Sequence, residues 1–299
     1  MTSLFRLFKR IRLIGFGAIA LVTLGLIVAC SGGGGGTATG STLEKVQSAG
    51  VMKVGYANEA PYAYQDDSGN LTGEAPEIAR AVLEDMGITE IEGVLTEFGS
   101  LIPGLQAGRF DMIAAGMYIR PERCEQIAFS DPTYGIGEGF IVKPGNPMGL
   151  ASYQDVLDNP DATLGVVAGA VEQGYAEAVG IPANQVEIFP DAPSAVEAVK
   201  AGRIDAYGGT SLTVQDMVDK SQGSVERAKD FEDPVIDGES VKGYGAFGFR
   251  KEDEELRNTF NEALTSYIGT PEHLETVRPF GFTEADLPGD ATAASLCSA

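Results

Sequence analysis

Two eight-residue segments constrain the fold of this chain more than any other feature. Residues 105–112 read LQAGRFDM and residues 199–206 read VKAGRIDA. Each closes a helical run on Ala-Gly-Arg, continues with an apolar residue and an aspartate, and leads directly into a strand. Glycine suits the left-handed position at a helix C-terminus, and an arginine beside it complements the negative end of the helix. The separation is far longer than the period of a solenoid, roughly 20–50 residues. The echo therefore predicts two similar α/β lobes with a cleft between them. Chance similarity is the alternative, because helix–glycine–strand turns are common.

The rest of the chain follows the same alternation. Apolar runs predict strands near 51–56, 91–97 and 110–117, with helices near 75–86, 100–107 and 121–128. A second series predicts strands near 163–168, 186–189 and 204–208, and helices near 152–158, 171–179, 193–201 and 211–220. Strands that alternate with helices argue for parallel sheets. The segment GYGAFGFRK (243–251) reads as a further strand. A long helix follows, with Leu256, Phe260, Leu264 and Ile268 on one face. The chain then crosses between lobes twice, near 134–138 and 242–246, where glycine-rich YGIGEG and KGYGAFG suit hinge segments. The expected lobes are 43–134 with the returning 243–299, and 135–242.

Composition removes several function classes. Of 299 residues, 43 are acidic and 21 basic, a formal charge of −22 that repels nucleic acid. A single histidine, His273, leaves little for imidazole catalysis or a zinc site. Acidic runs such as KEDEE and DFEDP read as solvated faces. No metal and no cofactor is expected.

The N-terminus carries basic FKRIR, a 17-residue apolar run ending at Ala29, then Cys30 and SGGGGG. The run barely spans a bilayer, and IVAC resembles the lipobox of bacterial lipoproteins. That resemblance implies a signal peptide over 1–29, lipidation of Cys30, a flexible tether over 30–42 and a membrane-anchored, extracytoplasmic protein. An uncleaved membrane anchor and an ordinary secreted protein are the alternatives. The remaining cysteines, Cys124 and Cys297, form no C-x-x-C pair; in an oxidising compartment they most simply bond to each other. Two free buried thiols are the alternative.

One loop stands out as a candidate binding surface. NEAPYAY (58–64) leaves a strand end carrying one carboxylate and two tyrosines, and ligands in open α/β sheets sit at such ends. A polar turn with a tyrosine folded onto the core is the plainer reading. Residues 98–134, FGSLIPGLQAGRFDMIAAGMYIRPERCEQIAFSDPTY, resemble the solute-binding proteins of bacterial ABC importers for polar amino acids and related compounds. Their motif places a Glu-Arg pair, here Glu122-Arg123, before a segment such as AFSDPTY. The resemblance extends over roughly residues 43–290. ANEAPY, GEAPEIAR, RPERC, KPGNPMGL, DNPDA and the C-terminal LC are similar to ectoine- and hydroxyectoine-binding members.

The resemblance implies an α/β, two-lobe periplasmic-binding-protein-like fold (type II), a monomer, and an ABC permease as partner. It also implies a small zwitterionic ligand, ectoine or hydroxyectoine, with a polar amino acid such as glutamine or arginine as the other reading. Arg123 would take the ligand carboxylate in two parallel bonds, and Glu59 the N–H groups of the amidinium. Tyr62, Phe98 and Tyr118 would enclose the cationic ring, each cation–π contact contributing about 0.5–2 kcal/mol. Thr210 stands where many amino-acid binders carry an aspartate for the α-ammonium, which disfavours an ordinary α-amino acid. Val171 replaces a threonine frequent in relatives, leaving backbone N–H groups of a helix N-terminus as contacts. Each assignment has an alternative: Arg123 paired on the surface with Glu122 or Glu125, Phe98 in the core, Tyr118 against the opposite lobe, Glu59 bonded to backbone. A binding role needs no catalysis; an extracytoplasmic dehydratase-like enzyme is the competing class, with Glu59 as its sole candidate base.

Overall fold

A computed structural model describes residues 40–236 and 238–298, and in it the two Ala-Gly-Arg turns close in the same way. The Arg109 N–H donates to the Gly104 carbonyl at 3.0 Å and the Arg203 N–H to the Ala198 carbonyl at 2.9 Å. Gly108 and Gly202 are both left-handed, at φ 68° and 71°, the conformation that lets the last helical carbonyls find donors. The aspartate of each echo then joins a strand: Asp111 N–H reaches the Lys53 carbonyl at 2.8 Å, and Asp205 N–H reaches that of Thr163 at 3.0 Å.

Each echo sits in its own sheet. The chain runs through α1 (Thr42–Ala49), β1 (Val51–Tyr56), a small hairpin of β2 (Tyr64–Gln65) and β3 (Leu71–Thr72), α2 (Glu74–Asp85) and β4 (Glu90–Leu95). It continues through α3 (Leu101–Gln106), β5 (Met112–Tyr118), α4 (Pro121–Cys124), β6 (Ala128–Phe129) and β7 (Tyr134–Ile136). The second series is β8 (Glu138–Val142), α5 (Tyr153–Asp158), β9 (Leu164–Val167), α6 (Val171–Val179), β10 (Val186–Phe189) and α7 (Ala192–Ala201). After β11 (Ala206–Thr210), α8 (Ser211–Lys220) and β12 (Glu226–Arg227) comes a hairpin of β13 (Val235–Ile236) and β14 (Glu239–Ser240). The chain ends with β15 (Gly243–Phe249), α9 (Glu254–Tyr267), α10 (Pro271–Val277) and α11 (Ala293–Leu296).

The first sheet has the order β4-β1-β5-β15-β6, with β7 also on β15; the second is β10-β9-β11-β8-β12. In each, three parallel strands meet an antiparallel fourth. Each sheet is covered on both faces, as parallel strands require. Leu43, Ile78, Val82 and Phe260 pack on one side of the first sheet, and Leu101, Leu105 and Phe110 on the other. Tyr153, Val156 and Tyr175 pack on one side of the second, and Val196, Val199 and Val214 on the other. The fold is thus the two-lobe periplasmic-binding-protein architecture.

The chain passes from one sheet to the other at Gly137, between β7 and β8, and comes back ahead of β15. The two passing segments are themselves paired, Gly243 against Ile136 and Gly245 against Tyr134. One local expectation needs correction, and three elements, α1, β7 and β8, were not anticipated. The helix anticipated over 121–128 spans only Pro121–Cys124, because Ala128 and Phe129 pair with Phe249 and Gly248 and their backbone groups go to the sheet. The segment around 134–142 is a pair of strands, one in each sheet, and α1 lies ahead of the first anticipated strand. The anticipated signal peptide, Cys30 and most of the tether lie outside the described residues.

Cys124 and Cys297 are bonded, fastening the C-terminal segment beside α4. The same segment is held where the Ala293 N–H donates to Asp131 Oδ1 at 2.9 Å. The bond closes a loop of 173 residues, so opening it by Cys297→Ser should lower stability by about 2–5 kcal/mol. Urea unfolding of the oxidised protein and the variant checks this, and equal midpoints would show that the staple contributes nothing.

Candidate functional site

The cavity lies where the C-terminal ends of parallel strands from both sheets converge, the position favoured for ligands in open α/β sheets. Its volume is small, about 30 Å³, room for about one or two water molecules. All seven residues singled out in the sequence, Glu59, Tyr62, Phe98, Tyr118, Arg123, Val171 and Thr210, line it.

The loop after β1 is built tightly. Glu59 N–H donates to the Ala63 carbonyl at 2.8 Å and Ala63 N–H returns the bond at 2.9 Å, while Asn58 Oδ1 accepts from Gln65 N–H at 2.9 Å. This ladder holds Glu59 toward the second lobe, where its Oε1 accepts from the Thr213 hydroxyl at 2.8 Å. Burial pushes the Glu59 carboxyl above its ordinary range, and the Thr213 bond opposes that. Tyr62 is fixed from behind by Tyr134 and Phe282, with ring centroids 5.2 and 5.7 Å away. Gly116 beside it is left-handed, and a Cβ there would stand 2.7 Å from the Tyr62 ring; only glycine lets the strand and the ring coexist.

Arg123 is the one buried guanidinium of the cavity. Its Nη1 donates to the Tyr118 carbonyl at 2.9 Å and its Nη2 to the Gly169 carbonyl at 3.0 Å, so one side chain holds both lobes. The surface pairing with Glu122 is not made; Glu122 binds Arg120 instead, at 2.9 Å. Phe98 lies under the guanidinium, its ring centroid 5.5 Å from the central carbon. Burial lowers the Arg123 pKa to about 10, opposed by the nearby Glu172 carboxylate. The guanidinium remains a cation at neutral pH.

From the second lobe, Val171 and Thr210 reach the cavity, the former at the start of α6 and the latter at the end of β11. The Thr210 hydroxyl donates to Thr213 Oγ1 at 3.1 Å, continuing the chain of hydroxyls to Glu59. Sequence reasoning missed Thr213, Tyr207 and Glu172. Glu172 lies one residue beyond Val171 in the first turn of α6, where an acid also reads as a simple complement to the helix dipole. His273, by contrast, is buried in α10 and is absent from the cavity lining.

A charged, partly aromatic cavity lined from two lobes that hydrogen bonds draw together is the site of an extracytoplasmic solute-binding protein. The chain belongs to the bacterial extracellular solute-binding proteins, family 3, whose model matches residues 52–280. It is 42% identical, over 86% of each chain, to the probable amino-acid ABC transporter periplasmic-binding protein y4tE of Sinorhizobium fredii. It is 30% identical to the lysine/arginine/ornithine-binding periplasmic protein of Escherichia coli, over 69% of this chain and 77% of that one. Its fold is similar to the crystal structure of EhuB in complex with hydroxyectoine, with TM-score 0.78 and 35% identity over 86% of this chain and 98% of that one. The chain is accordingly the extracytoplasmic component of an ABC importer, taking a small amino-acid-like solute and working with a membrane permease.

Beneath the cavity floor, burial pushes the Glu74 carboxyl up to about 8, although its Oε1 accepts from Thr133 at 2.6 Å. Glu172 is pushed up to about 7, again chiefly by burial. His273 is held down to about 4 by burial, so it opposes these groups only below its ordinary 6.5. Between about pH 6.5 and 8 the folded protein therefore keeps protons that the unfolded chain has already lost, and stability falls as pH rises, by roughly 1–3 kcal/mol. Urea unfolding across this window checks the sign. Glu74→Gln should flatten the slope, and a stability that climbs with pH would contradict the assignment.

Proposed function

We propose that the cavity captures a small zwitterion whose positive charge is delocalised, with ectoine or hydroxyectoine as the ligand. The observation that carries this reading is the combination of Arg123, Glu59 and the rings of Tyr62, Phe98 and Tyr118 on one small cavity wall. A guanidinium with free N–H donors suits a carboxylate. A carboxylate beside aromatic faces suits an amidinium, which is weakly hydrated and enters an aromatic enclosure at low desolvation cost. The similarity to a hydroxyectoine-bound structure supports the same assignment.

Capture needs no bond to be made or broken, and the side chains serve binding rather than catalysis. Glu59 is engaged by Thr213, and His273 stands elsewhere. In this reading the lobes, 43–134 with 243–299 and 135–242, close about the paired crossing segments, and the ligand stabilises the closed form that the permease meets. Cys30 carries the lipid that tethers the protein outside the cytoplasmic membrane.

One observation favours a second reading. The cavity region holds more carboxyls, Glu59, Glu138 and Glu172, than cations, which suits a cationic amino acid such as arginine. Calorimetry on the soluble domain from residue 40 onward, with ectoine, hydroxyectoine, arginine, glutamine, proline and glycine betaine, separates the two. Ectoine or hydroxyectoine is expected to bind one to one. Arg123→Ala should weaken binding by about 2–5 kcal/mol, since a buried charged partner is lost. Tyr62→Phe, which keeps the ring, should cost no more than about 1.5 kcal/mol. Binding of arginine with ectoine silent would replace the first reading by the second.

A further inference from the structure

Arg123 and Cys124 are neighbours in α4, which is a single helical turn of four residues. A lone turn has no stability of its own in water, because nucleating a helix fixes several residues for few bonds. The two side chains leave the turn about 100° apart. One is the buried guanidinium of the cavity, and the other is bonded to Cys297. Whatever holds α4 therefore decides where the guanidinium lies.

Open space borders α4 on two sides. A groove of about 350 Å³ is lined by Arg120, Glu122, Arg123 and Gln126, with Gly174 of the second lobe opposite. Another, of about 280 Å³, is lined by Arg120, Pro121 and Glu122, with Lys242, Tyr244 and Leu296 around it. Side-chain bonds to this stretch are exposed ones. Gln126 Nε2 donates to the Glu122 carbonyl at 3.1 Å, and Lys251 Nζ to that of Glu125 at 2.7 Å. Water competes for both.

The C-terminal segment is anchored more firmly. Asp131, beyond β6, exchanges two bonds with Asn261 of α9. Its N–H donates to Asn261 Oδ1 at 2.6 Å, and Asn261 Nδ2 donates to Asp131 Oδ2 at 2.9 Å. The other carboxylate oxygen, Oδ1, accepts from the Ala293 N–H at the start of α11, at 2.9 Å. Ala293, Leu296 and Cys297 then pack on the cluster that includes Ile119, Ile127 and Phe129. A continuous path thus runs from α9 through Asp131 and α11 to Cys297, and across the sulfurs to α4.

We propose that the Cys124–Cys297 bond positions Arg123, so that the C-terminal segment serves the binding site although none of its residues lines the cavity. Two parallel bonds to a carboxylate need the guanidinium placed to within about 0.5 Å. With the bond open, α4 shifts into the bordering grooves and Arg123 no longer presents both donors together. The positional claim stands on these contacts alone. The effect on affinity rests on the reading that Arg123 takes the ligand carboxylate.

Two measurements keep these apart. The variant combines Cys124→Ser with Cys297→Ser, so that no lone thiol remains. The control is Val156→Ala, a fully buried position in α5 of the second lobe that lowers stability without touching α4. In the ligand-free protein with nitrogen-15 in its arginines, magnetic resonance follows the Arg123 guanidinium, assigned by its loss in Arg123→Ala. Its signals are expected apart from those of exposed arginines, because Nη1 and Nη2 are both engaged. They should stay there in Val156→Ala and join the exposed set in the double variant. Arg123 signals unchanged in the double variant would overturn the proposal whatever the ligand is.

The second measurement is calorimetry with whichever panel compound binds, at a temperature where every variant is folded. The double variant should bind about tenfold more weakly, a smaller loss than removal of Arg123 itself. Val156→Ala should bind as the unaltered protein does. Unchanged affinity in the double variant would make the bond a stability device alone and overturn the proposal. An equal loss in both variants would overturn it too, tracing the effect to general destabilisation. If no compound binds, the ligand reading fails and the arginine spectrum still decides what positions Arg123.

Discussion

A guanidinium taken out of water must have its donors met, and the meeting of the two lobes is arranged around that requirement. Arg123 reaches the Tyr118 carbonyl in one lobe and the Gly169 carbonyl in the other. An isolated buried charge is expensive, so separating the lobes without water would leave the cation short of acceptors. Water entering the open cleft removes that penalty. Neighbouring structure keeps the arginine in place: α4 is short, begins at Pro121, and is fastened by Cys124 to the C-terminal segment.

The matched topology of the sheets explains why the two walls of the cavity differ so much in chemistry. Parallel strands deliver their loops to one edge, and in each lobe those loops are free to vary while the sheet is not. The first lobe uses this edge for rings and for the two charged groups Arg123 and Glu59. The second contributes mostly small side chains such as Ala170, Val171 and Thr210, with one ring, Tyr207, and the carboxyl of Glu172. The scaffold is nearly the same; the surfaces presented on it are complementary.

Much of this was legible in the residues. The repeated Ala-Gly-Arg turn announced two lobes because its meaning is local: a helix end, a left-handed glycine, a strand. Long amphipathic helices such as α9 were equally plain, since Leu256, Phe260 and Leu264 mark one face. The short strands β6, β7 and β8 were not. They are set by pairing with β15, β11 and β12, partners distant in the chain, and glycine-rich YGIGEG reads locally as a bend. In the cavity, residues inside a recognisable motif were found, and Thr213, Tyr207 and Glu172 were not. Their importance comes from which way a helix or strand is turned by the core, and an acid in a first helical turn looks the same whether it faces solvent or a cleft.

The line of hydroxyls from Thr210 through Thr213 to Glu59 has a direction. A threonine hydroxyl has one hydrogen, and each of these gives it toward the carboxylate. Thr210 consequently faces the cavity with lone pairs alone. Glu59 at the far end thus sets the polarity of an atom on the opposite lobe, making that part of the wall receptive to N–H and O–H groups and indifferent to bare oxygens. A carboxylate anchored in one lobe imposes its own preference on the other without touching the same part of the guest.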